Sequence, residues 1–231
     1  MFQRNEIRLF QARLDFQAPG YVNKVVSLTA GTNDLDLASE LERATDIAGK
    51  VLTQDGNPAS GARVFFRGEH FRFRVGEDCS VSLPSPEYPF AVETRAGVDG
   101  AFRIPKTDGI ERLEVVHPEG WANVPLDGFS TAVIQLQPWG RVRGVVQAGD
   151  RWLSDVEVRA TEAGAGPEQM LFEFTAKTDA AGHFEFSKLP GGRARVCLLS
   201  PEEGQTASNT AQEIPVQPGR TIDLTVSAPA Q

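Results

Sequence analysis

The sequence has few of the residues on which enzymes and metal sites depend. Its 231 residues include three histidines and two cysteines. The histidines stand at positions 70, 117 and 183, and no H-x-x-x-H, H-E-x-x-H or C-x-x-C spacing occurs, so the common zinc motifs are absent. The G-x-S-x-G motif of serine hydrolases is absent too. We therefore predict that the chain is not an enzyme and binds no cofactor and no metal.

Long apolar runs and excess positive charge are also missing. No run of roughly 18 apolar residues exists, so no helix is predicted to span or insert directly into a membrane. The first residues, MFQRNEIRLFQ, carry charges where a signal peptide needs an apolar stretch. The formal net charge is −8, and an acidic surface disfavours nucleic acid, whose binding depends on neutralising phosphates. It also disfavours an anionic membrane surface.

The two cysteines give no sign of a disulfide. Cys79 and Cys197 fall in different repeats, and a disulfide needs Cα atoms within about 7 Å of each other, which nothing in the spacing requires. Cys197 lies in RARVCLLS, alternating with apolar neighbours. We predict two unreactive thiols, with Cys197 a buried strand residue.

Short segments of alternating apolar and polar residues dominate what is present. They are separated by turn residues, and the chain has 15 prolines and 22 glycines. Alternation with a period of two is typical of strands with one buried face. Many strands in succession without helices predict an all-β protein built from antiparallel β-sandwiches of the prealbumin or immunoglobulin kind.

Two long stretches repeat the same order of glycines, turns and apolar residues. DIAGKVLTQDGNPASGARVFF at 46–66 corresponds to RVRGVVQAGDRWLSDVEVRA at 141–160, and AGVDGAFRI at 96–104 to TDAAGHFEF at 178–186. In the second pair Gly100 aligns with Gly182, and Phe102 with Phe184. Turn glycines supply a positive φ, and apolar residues two apart share one face of a strand. Each copy therefore predicts a hairpin, then a strand whose phenylalanine faces the core.

A third segment appears three times, as RLDFQAPGYVNK, LEVVHPEGWANV and, more loosely, RVCLLSPEEGQT. Each is an alternating strand followed by a loop with proline and glycine, and a closing strand comes after it. We therefore predict two complete sandwiches, at 46–138 and 139–231, and the C-terminal half of an upstream copy at 1–45. A half-sandwich leaves an apolar face uncovered. Either it packs on the next unit, or the chain is a monomeric fragment of a longer protein.

These motifs resemble the carboxypeptidase regulatory-like domain, a transthyretin-like β-sandwich related in shape to starch-binding modules. The first full copy carries the pattern I-x-G-x-V, D-G-x-P, G-A-x-V and G-x-F-x-I. The second copy departs from it, with Trp152 in place of the turn proline and Asp155 in place of a glycine. The resemblance implies an accessory, non-catalytic role, as in large bacterial surface proteins. It also implies a cell-envelope or extracellular location if the chain is a fragment.

The function that we predict is a structural spacer or interaction scaffold. Trp139, at the boundary between the copies, is expected to make their interface rigid by burying a large apolar ring. The alternative is a carbohydrate-binding module that uses exposed aromatic and arginine side chains to bind a glycan, with a protein ligand as a further option. Its candidate ligand-binding residues are Trp121, Trp152, Tyr88, Phe71, Arg72 and Arg74.

Overall fold

The structure, a computed structural model, is all-β in the part of the chain that it describes. It describes residues 11–16, 18, 21–22, 24–29, 38–43, 46–68, 74–82, 93–105, 110–126, 132–164, 172–199 and 211–228. These ranges contain nineteen strands, which confirms the predicted fold class. Within them no helix has the length and apolar character needed to cross a membrane.

The first sandwich consists of two sheets with the strand orders β11-β3-β8 and β10-β9-β4-β7, and a small hairpin, β5–β6, adds to it. Its strands are β3 (Ile47–Leu52), β4 (Arg63–Gly68), β5 (Arg74–Val75), β6 (Val81–Ser82), β7 (Glu93–Arg95), β8 (Ala101–Ile104), β9 (Ile110–His117), β10 (Gly120–Pro125) and β11 (Ala132–Gln135).

The second sandwich repeats this arrangement. One sheet places β12 between β19 and the pair β13 and β16, and the other has the order β15-β14-β17-β18. Its strands are β12 (Gly140–Ala148), β13 (Arg151–Trp152), β14 (Glu157–Glu162), β15 (Glu173–Lys177), β16 (His183–Leu189), β17 (Gly192–Leu198), β18 (Gln212–Val216) and β19 (Thr221–Ser227).

One pairing in each sandwich differs from the predicted antiparallel arrangement. The closing strands β11 and β19 run parallel to the opening strands β3 and β12. This follows from the connectivity: the closing strand comes from the opposite sheet rather than from a hairpin with its neighbour, so its direction is not forced to be antiparallel.

The repeated motifs occupy equivalent registers in the two sandwiches. Gly49 pairs with Phe102 across β3 and β8, and Gly144 pairs with Phe184 across β12 and β16. Both phenylalanines are buried, with 5% of each side chain exposed. The aligned phenylalanines therefore occupy equivalent positions, as the sequence predicted.

Each sandwich has its own buried cluster of apolar side chains. The first includes Val51, Ile104 and Leu113, and the second includes Val142, Phe186 and Leu189. The chain thus has two separate cores joined near residue 139. The exact domain limits at 46 and 139 stay a prediction.

The first sandwich is also buried on the outer side of its four-stranded sheet. Val64 and Phe66 pair with Val115 and Leu113 and face the core, so Phe65 projects to the opposite face. Phe65 is nevertheless fully buried. Val75 and Cys79, from the β5–β6 segment, belong to the same buried cluster. Arg63, two residues from Phe65 and so on the same face of β4, donates to the carbonyl of Val81 in β6 at 3.4 Å, so this hairpin contributes to the cover over the outer face.

The described residues before Ile47 form a smaller piece. β1 (Gln11–Phe16) and β2 (Lys24–Thr29) make an antiparallel hairpin. Tyr21 forms an isolated bridge with Arg43, and the N–H of Val22 donates to the carbonyl of Glu42 at 2.8 Å. Trp121, the counterpart of Tyr21 in the third repeated segment, forms the same kind of bridge with Gln137.

Candidate functional site at the junction of the sandwiches

The residues predicted to bind a ligand do not come together on one surface. Phe71, Arg72 and Tyr88 lie outside the described residues, and Arg74 is described only as part of β5. Trp152 lies in β13 and is 56% exposed. Trp121 lies half-buried in β10.

The two predicted tryptophans lie at opposite ends of β12. Trp121 bridges to Gln137, just before β12 begins, whereas Trp152 pairs with Gln147 near its end. At about 3.3 Å per residue, roughly 30 Å of chain separates these two points. A single small ligand cannot stack on both rings.

Trp121 instead lies at the junction between the sandwiches. Its backbone exchanges two hydrogen bonds with Gln137, at 2.9 and 2.8 Å. Gly120 makes this close approach possible, because a Cβ at that position would lie only 2.4 Å from the Gln137 carbonyl oxygen. The connecting segment is therefore held against β10 of the first sandwich.

Trp139 contacts both sandwiches, as its place in the sequence predicted. Its indole Nε1 donates to the carbonyl of His117 at 3.0 Å, and its side chain packs against the first core. Its own carbonyl accepts from the N–H of Gly219, in the second sandwich, at 3.2 Å. Burial of a large ring with its polar atom satisfied is a stabilising use of tryptophan.

The β5–β6 hairpin makes a second set of contacts across the junction. One carboxylate oxygen of Glu77 accepts from the N–H and from the hydroxyl of Ser187, each at 3.0 Å. Val75 forms an isolated bridge with Phe172, and the ammonium of Lys188 donates to the thiol of Cys79 at 3.7 Å. We call this set of contacts, residues 75–79 with Phe172, Ser187 and Lys188, the clasp.

The clasp turn has a strained but well-bonded backbone. Cys79 has a positive φ of 63°, and its N–H donates to the Gly76 carbonyl at 2.9 Å. Burial raises the pKa of the Cys79 thiol, and the nearby Lys188 ammonium opposes that rise in part. The thiol is therefore held in its neutral form.

The clasp residues 75–79 lie in a segment of the first copy, 67–90, that is longer than its counterpart in the second copy, 161–174, and the sequence alone indicated no role for this insertion at the junction. The only available signal was its length, since the second copy is shorter at the same place. Charge pairing could not identify Ser187 as a partner of Glu77, because a serine carries no charge and the two residues are 110 positions apart. The contact depends on how the two sandwiches are oriented.

The described histidines make structural contacts. The Nδ1 of His117 accepts from the N–H of Glu119 at 3.3 Å. His183 is an exposed residue, as predicted, and the carboxylate of Asp179 accepts from its backbone N–H at 2.8 Å. Together with the N–H of Ala181, this hydrogen bond lowers the pKa of Asp179. Among the described residues, no three His, Cys, Asp or Glu side chains are grouped to hold a metal ion.

Comparisons with known proteins show only distant structural likeness. No protein-family model matches the chain, and no curated protein matches it. Among solved structures, the minor pilin GBS52 of Streptococcus agalactiae is 13% identical with a TM-score of 0.41, over 80% of this chain and 96% of that one.

Two further pilins give lower scores. A streptococcal ancillary pilin is 11% identical with a TM-score of 0.34, over 96% of this chain and 76% of its own. The shaft pilin SpaA of Lactobacillus rhamnosus GG is 9% identical with a TM-score of 0.30, over 80% of this chain and 97% of its own. Because these TM-scores are low, the fold described above rests on the strand order of this chain itself.

Proposed function

We propose that this chain is a non-catalytic scaffold in which successive β-sandwiches are stacked at a fixed angle, in a surface or secreted protein. The observation that supports it most directly is the connecting segment. Between β11 and β12, Leu136 is buried in the first core, Gln137 is bonded to Trp121, and Trp139 is bonded to both sandwiches. A linker fixed in this way leaves the two units little freedom to rotate.

The absence of flexible linker chemistry supports the same proposal. Flexible linkers are rich in glycine and serine and make few contacts, and domains move relative to each other unless their interface is substantial. Here the connecting residues are Leu136, Gln137, Pro138 and Trp139. A proline and a packed tryptophan favour one conformation over many. The clasp adds a second attachment point, so that two contacts oppose rotation about the linker.

Membership of the carboxypeptidase regulatory-like family, with sandwiches at 46–138 and 139–231, is part of this proposal. The turn positions that carry the resemblance are equivalent in the two units. Pro58 bridges to Leu52, the residue after Val51. Trp152 pairs with Gln147, the residue after Val146. Val51 and Val146 are equivalent in the two units. The substitution of the turn proline by Trp152 therefore occurs at a single shared place in the fold.

Nuclear magnetic relaxation of backbone ¹⁵N nuclei tests the scaffold. If the junction is rigid, amides of both sandwiches report the same rotational correlation time. Trp139→Ala removes the ring and its hydrogen bond to His117, so the two units should then tumble with distinct, shorter times. Trp152→Ala is the matched control, because Trp152 is exposed and lies at the far end of β12. Independent tumbling in the unaltered protein would contradict the proposal.

Glycan binding is the alternative function predicted from the sequence. The observation that favours it is the exposure of Trp152, a residue that is 56% accessible. It predicts retention on immobilised polysaccharides that is lost in Trp152→Ala. Equal behaviour of the variant and the unaltered protein on a broad set of polysaccharides would remove Trp152 from the candidate residues.

A further inference from the structure

An open groove of about 720 Å³ lies on the first sandwich, over the outer face of its three-stranded sheet and along β8. Because Phe102 faces the core, its neighbours in β8 project outward. Short side chains form the floor of the groove, and basic side chains stand around it. The short ones are Ala48 and Ala101, and the basic ones are Lys50, Arg95 and Arg103.

The second sandwich has a groove at the same place with a different charge. Gly49 and Phe102 line the first groove, and the equivalent pair, Gly144 and Phe184, lines the second. Among the described residues, three basic side chains and no acidic one line the first groove. Two basic side chains and three acidic ones line the second. The repeat therefore keeps the position of the groove and changes its charge.

The basic side chains of the first groove are available to a partner. Lys50 and Arg95 are exposed, and neither makes an ion pair or a side-chain hydrogen bond with another described residue. Arg103 lies 3.4 Å from the carboxylate of Asp46, and 75% and 39% of the two side chains are exposed. An exposed pair of this kind contributes little, so an anionic partner can compete for Arg103.

In the second groove the basic side chains are already paired. Lys177 lies 3.2 Å from the carboxylate of Asp155, and Arg143 lies 3.2 Å from that of Glu185. Asp223, in register with Arg143 on β19, adds a further negative charge. The second groove therefore offers an anion much less, and it serves as an internal control for the first.

β8 also presents a free edge to the first groove. In the described part of the chain, β8 ends its sheet. The N–H of Val51 donates to the carbonyl of Gly100 at 2.8 Å, so the backbone groups of Phe102 point toward β3 and those of Ala101 and Arg103 point away. The turn before β8 uses the Ala101 groups. Those of Arg103 have no described partner and can pair with an added strand.

We infer that this groove binds an extended acidic segment of another protein chain, which adds as a strand to the edge of β8. Carboxylates two residues apart lie on one face of such a segment. One pairs with Arg103, and the next, opposite the short side chain of Ala101, reaches over it to Lys50. Arg95, on the neighbouring edge strand β7, adds positive potential. The inference goes beyond the scaffold, which names no partner, and it needs only the first sandwich.

Titration of the ¹⁵N-labelled full chain with a peptide tests this inference. The probe is an octapeptide of alternating glutamate and threonine, acetylated and amidated at its ends. We expect the backbone amide cross-peaks of Lys50, Ala101 and Arg103 to shift saturably, while those of Val145 and Glu185 in the second groove stay in place. Added salt should weaken the binding. The same peptide with glutamine for glutamate should bind at least tenfold more weakly.

Two variants give the first groove the residues of the second. Lys50→Val should weaken binding about threefold, as the loss of an exposed ion pair implies. Arg103→Glu should weaken it about tenfold or more, because it places a like charge against the peptide. Lys177→Val removes one positive charge from the second groove and should leave the affinity unchanged. Cross-peaks far from each substitution should keep their positions, which shows that the variants are folded.

Several results would overturn the inference. A peptide that shifts no amide of the first groove would do so, and so would equal affinity for the glutamine peptide or equal shifts in both grooves. An oligogalacturonate that shifts the amides of Lys50 and Arg103 when the peptide does not would assign the groove to an acidic glycan instead. None of these results affects the scaffold, since the relaxation measurement uses the protein without peptide.

Discussion

Gly61 and Asp155 occupy the same place in the two sandwiches, in the same unusual conformation. Their φ angles are 77° and 59°, in the left-handed region. The N–H of Gly61 donates to the carbonyl of Ala96 at 2.9 Å, and that of Asp155 donates to the carbonyl of Thr178 at 3.0 Å. The second sandwich therefore retains the turn of the first with a residue that has a Cβ. The left-handed backbone conformation is strained for such a residue.

Asp155→Gly should stabilise the second sandwich. A left-handed residue with a Cβ costs roughly 1–2 kcal/mol relative to the right-handed form, and the greater flexibility of an unfolded glycine offsets part of the gain. We expect a net increase of about 0.5–1 kcal/mol in the free energy of unfolding, measured by urea denaturation.

Asp155→Ala is the matched control for this change. It keeps the strain and removes the ion pair with Lys177, in which the charged atoms are 3.2 Å apart and the side chains are 67% and 83% exposed. Such an exposed pair contributes little, so the alanine variant should not be more stable than the unaltered protein. Equal stabilisation by glycine and alanine would show that backbone strain is not the cause.

Two turn glycines of the first sandwich should differ in their tolerance of alanine. Gly61 and Gly100 both have positive φ, but a Cβ on Gly61 meets open space, whereas one on Gly100 lies 2.4 Å from the carbonyl oxygen of Val51. Gly61→Ala adds only strain, partly offset by the lower flexibility of the unfolded alanine, and should lower stability by about 0.5–1 kcal/mol. Gly100→Ala adds a backbone clash, so its thermal midpoint should fall clearly further. Similar midpoints for the two variants would contradict the clash.

Gly144 and Phe184 should behave as one unit. A Cβ on Gly144 would lie 2.3 Å from Cζ of Phe184, so the phenyl ring covers the glycine across the strand pair. Gly144→Ala alone should be strongly destabilising because a packed core cannot absorb the added atom. Phe184→Leu alone loses ring packing.

The double variant Gly144→Ala/Phe184→Leu is the informative one. If the ring is the obstacle, its combined loss in unfolding free energy should be smaller than the sum of the two single losses by about 1 kcal/mol or more. Strict additivity would show that the alanine is resisted by something else, such as the carbonyl of Leu224, which a Cβ would approach to 2.8 Å.

The sequence predicts this fold well because local rules set most of it. Alternation places Phe102 and Phe184 on inward faces, and Gly100 and Gly182 mark turns whose φ values are 76° and 80°. Each of these features depends on residues close together in the chain. The boundary role of Trp139 could be predicted too, because a large apolar ring between two units needs a surface to cover it.

The candidate site could not be predicted in the same way. The role of Glu77 depends on Ser187, and the surroundings of Trp121 depend on Gly191, which comes from the other sandwich. No local pattern encodes how two folded units are oriented. Phe65 shows the same limit: its place in the alternation puts it on the outer face, yet it is fully buried.

The thiol of Cys79 should react slowly, and it should make the free energy of unfolding fall at alkaline pH. Burial raises its pKa, so in the folded protein the reactive thiolate forms at a higher pH than in an unfolded chain, where the value is about 8.5. The stability from this group is complete below that ordinary value. It is lost as pH rises through the raised folded value, because the unfolded chain releases the proton first.

Pulsed alkylation with peptide mapping measures the reaction of Cys79 separately from that of Cys197. The expected rate at mildly alkaline pH is well below that of the unfolded chain. Cys79→Ser is the control for stability, since it should reduce the decline of the unfolding free energy above the ordinary thiol pKa. A rate for Cys79 equal to that of the unfolded protein would mean that the clasp turn does not bury it.

The clasp itself should be measurable as a coupling between Glu77 and Ser187. Glu77→Ala removes the acceptor for both the N–H and the hydroxyl of Ser187, whereas Glu77→Gln keeps a carbonyl oxygen and removes the charge. Alanine should destabilise more than glutamine, because glutamine keeps an acceptor. Glutamine should still be less stable than glutamate, because hydrogen bonds to charged groups are the stronger ones. Ser187→Ala removes only the hydroxyl donor, so it should destabilise the protein less than Glu77→Ala does.

A double-mutant cycle with Glu77→Ala and Ser187→Ala isolates the hydroxyl contact. We expect a coupling energy of about 1 kcal/mol, read from chemical denaturation. A second cycle that pairs Ser187→Ala with Val98→Ala is the control, since Val98 is 88% exposed and lies in the turn before β8. That cycle should be additive. If the Glu77 cycle is additive as well, the hydroxyl contact does not help to hold the sandwiches together, and the linker around Trp139 must fix their angle with correspondingly less help from the clasp.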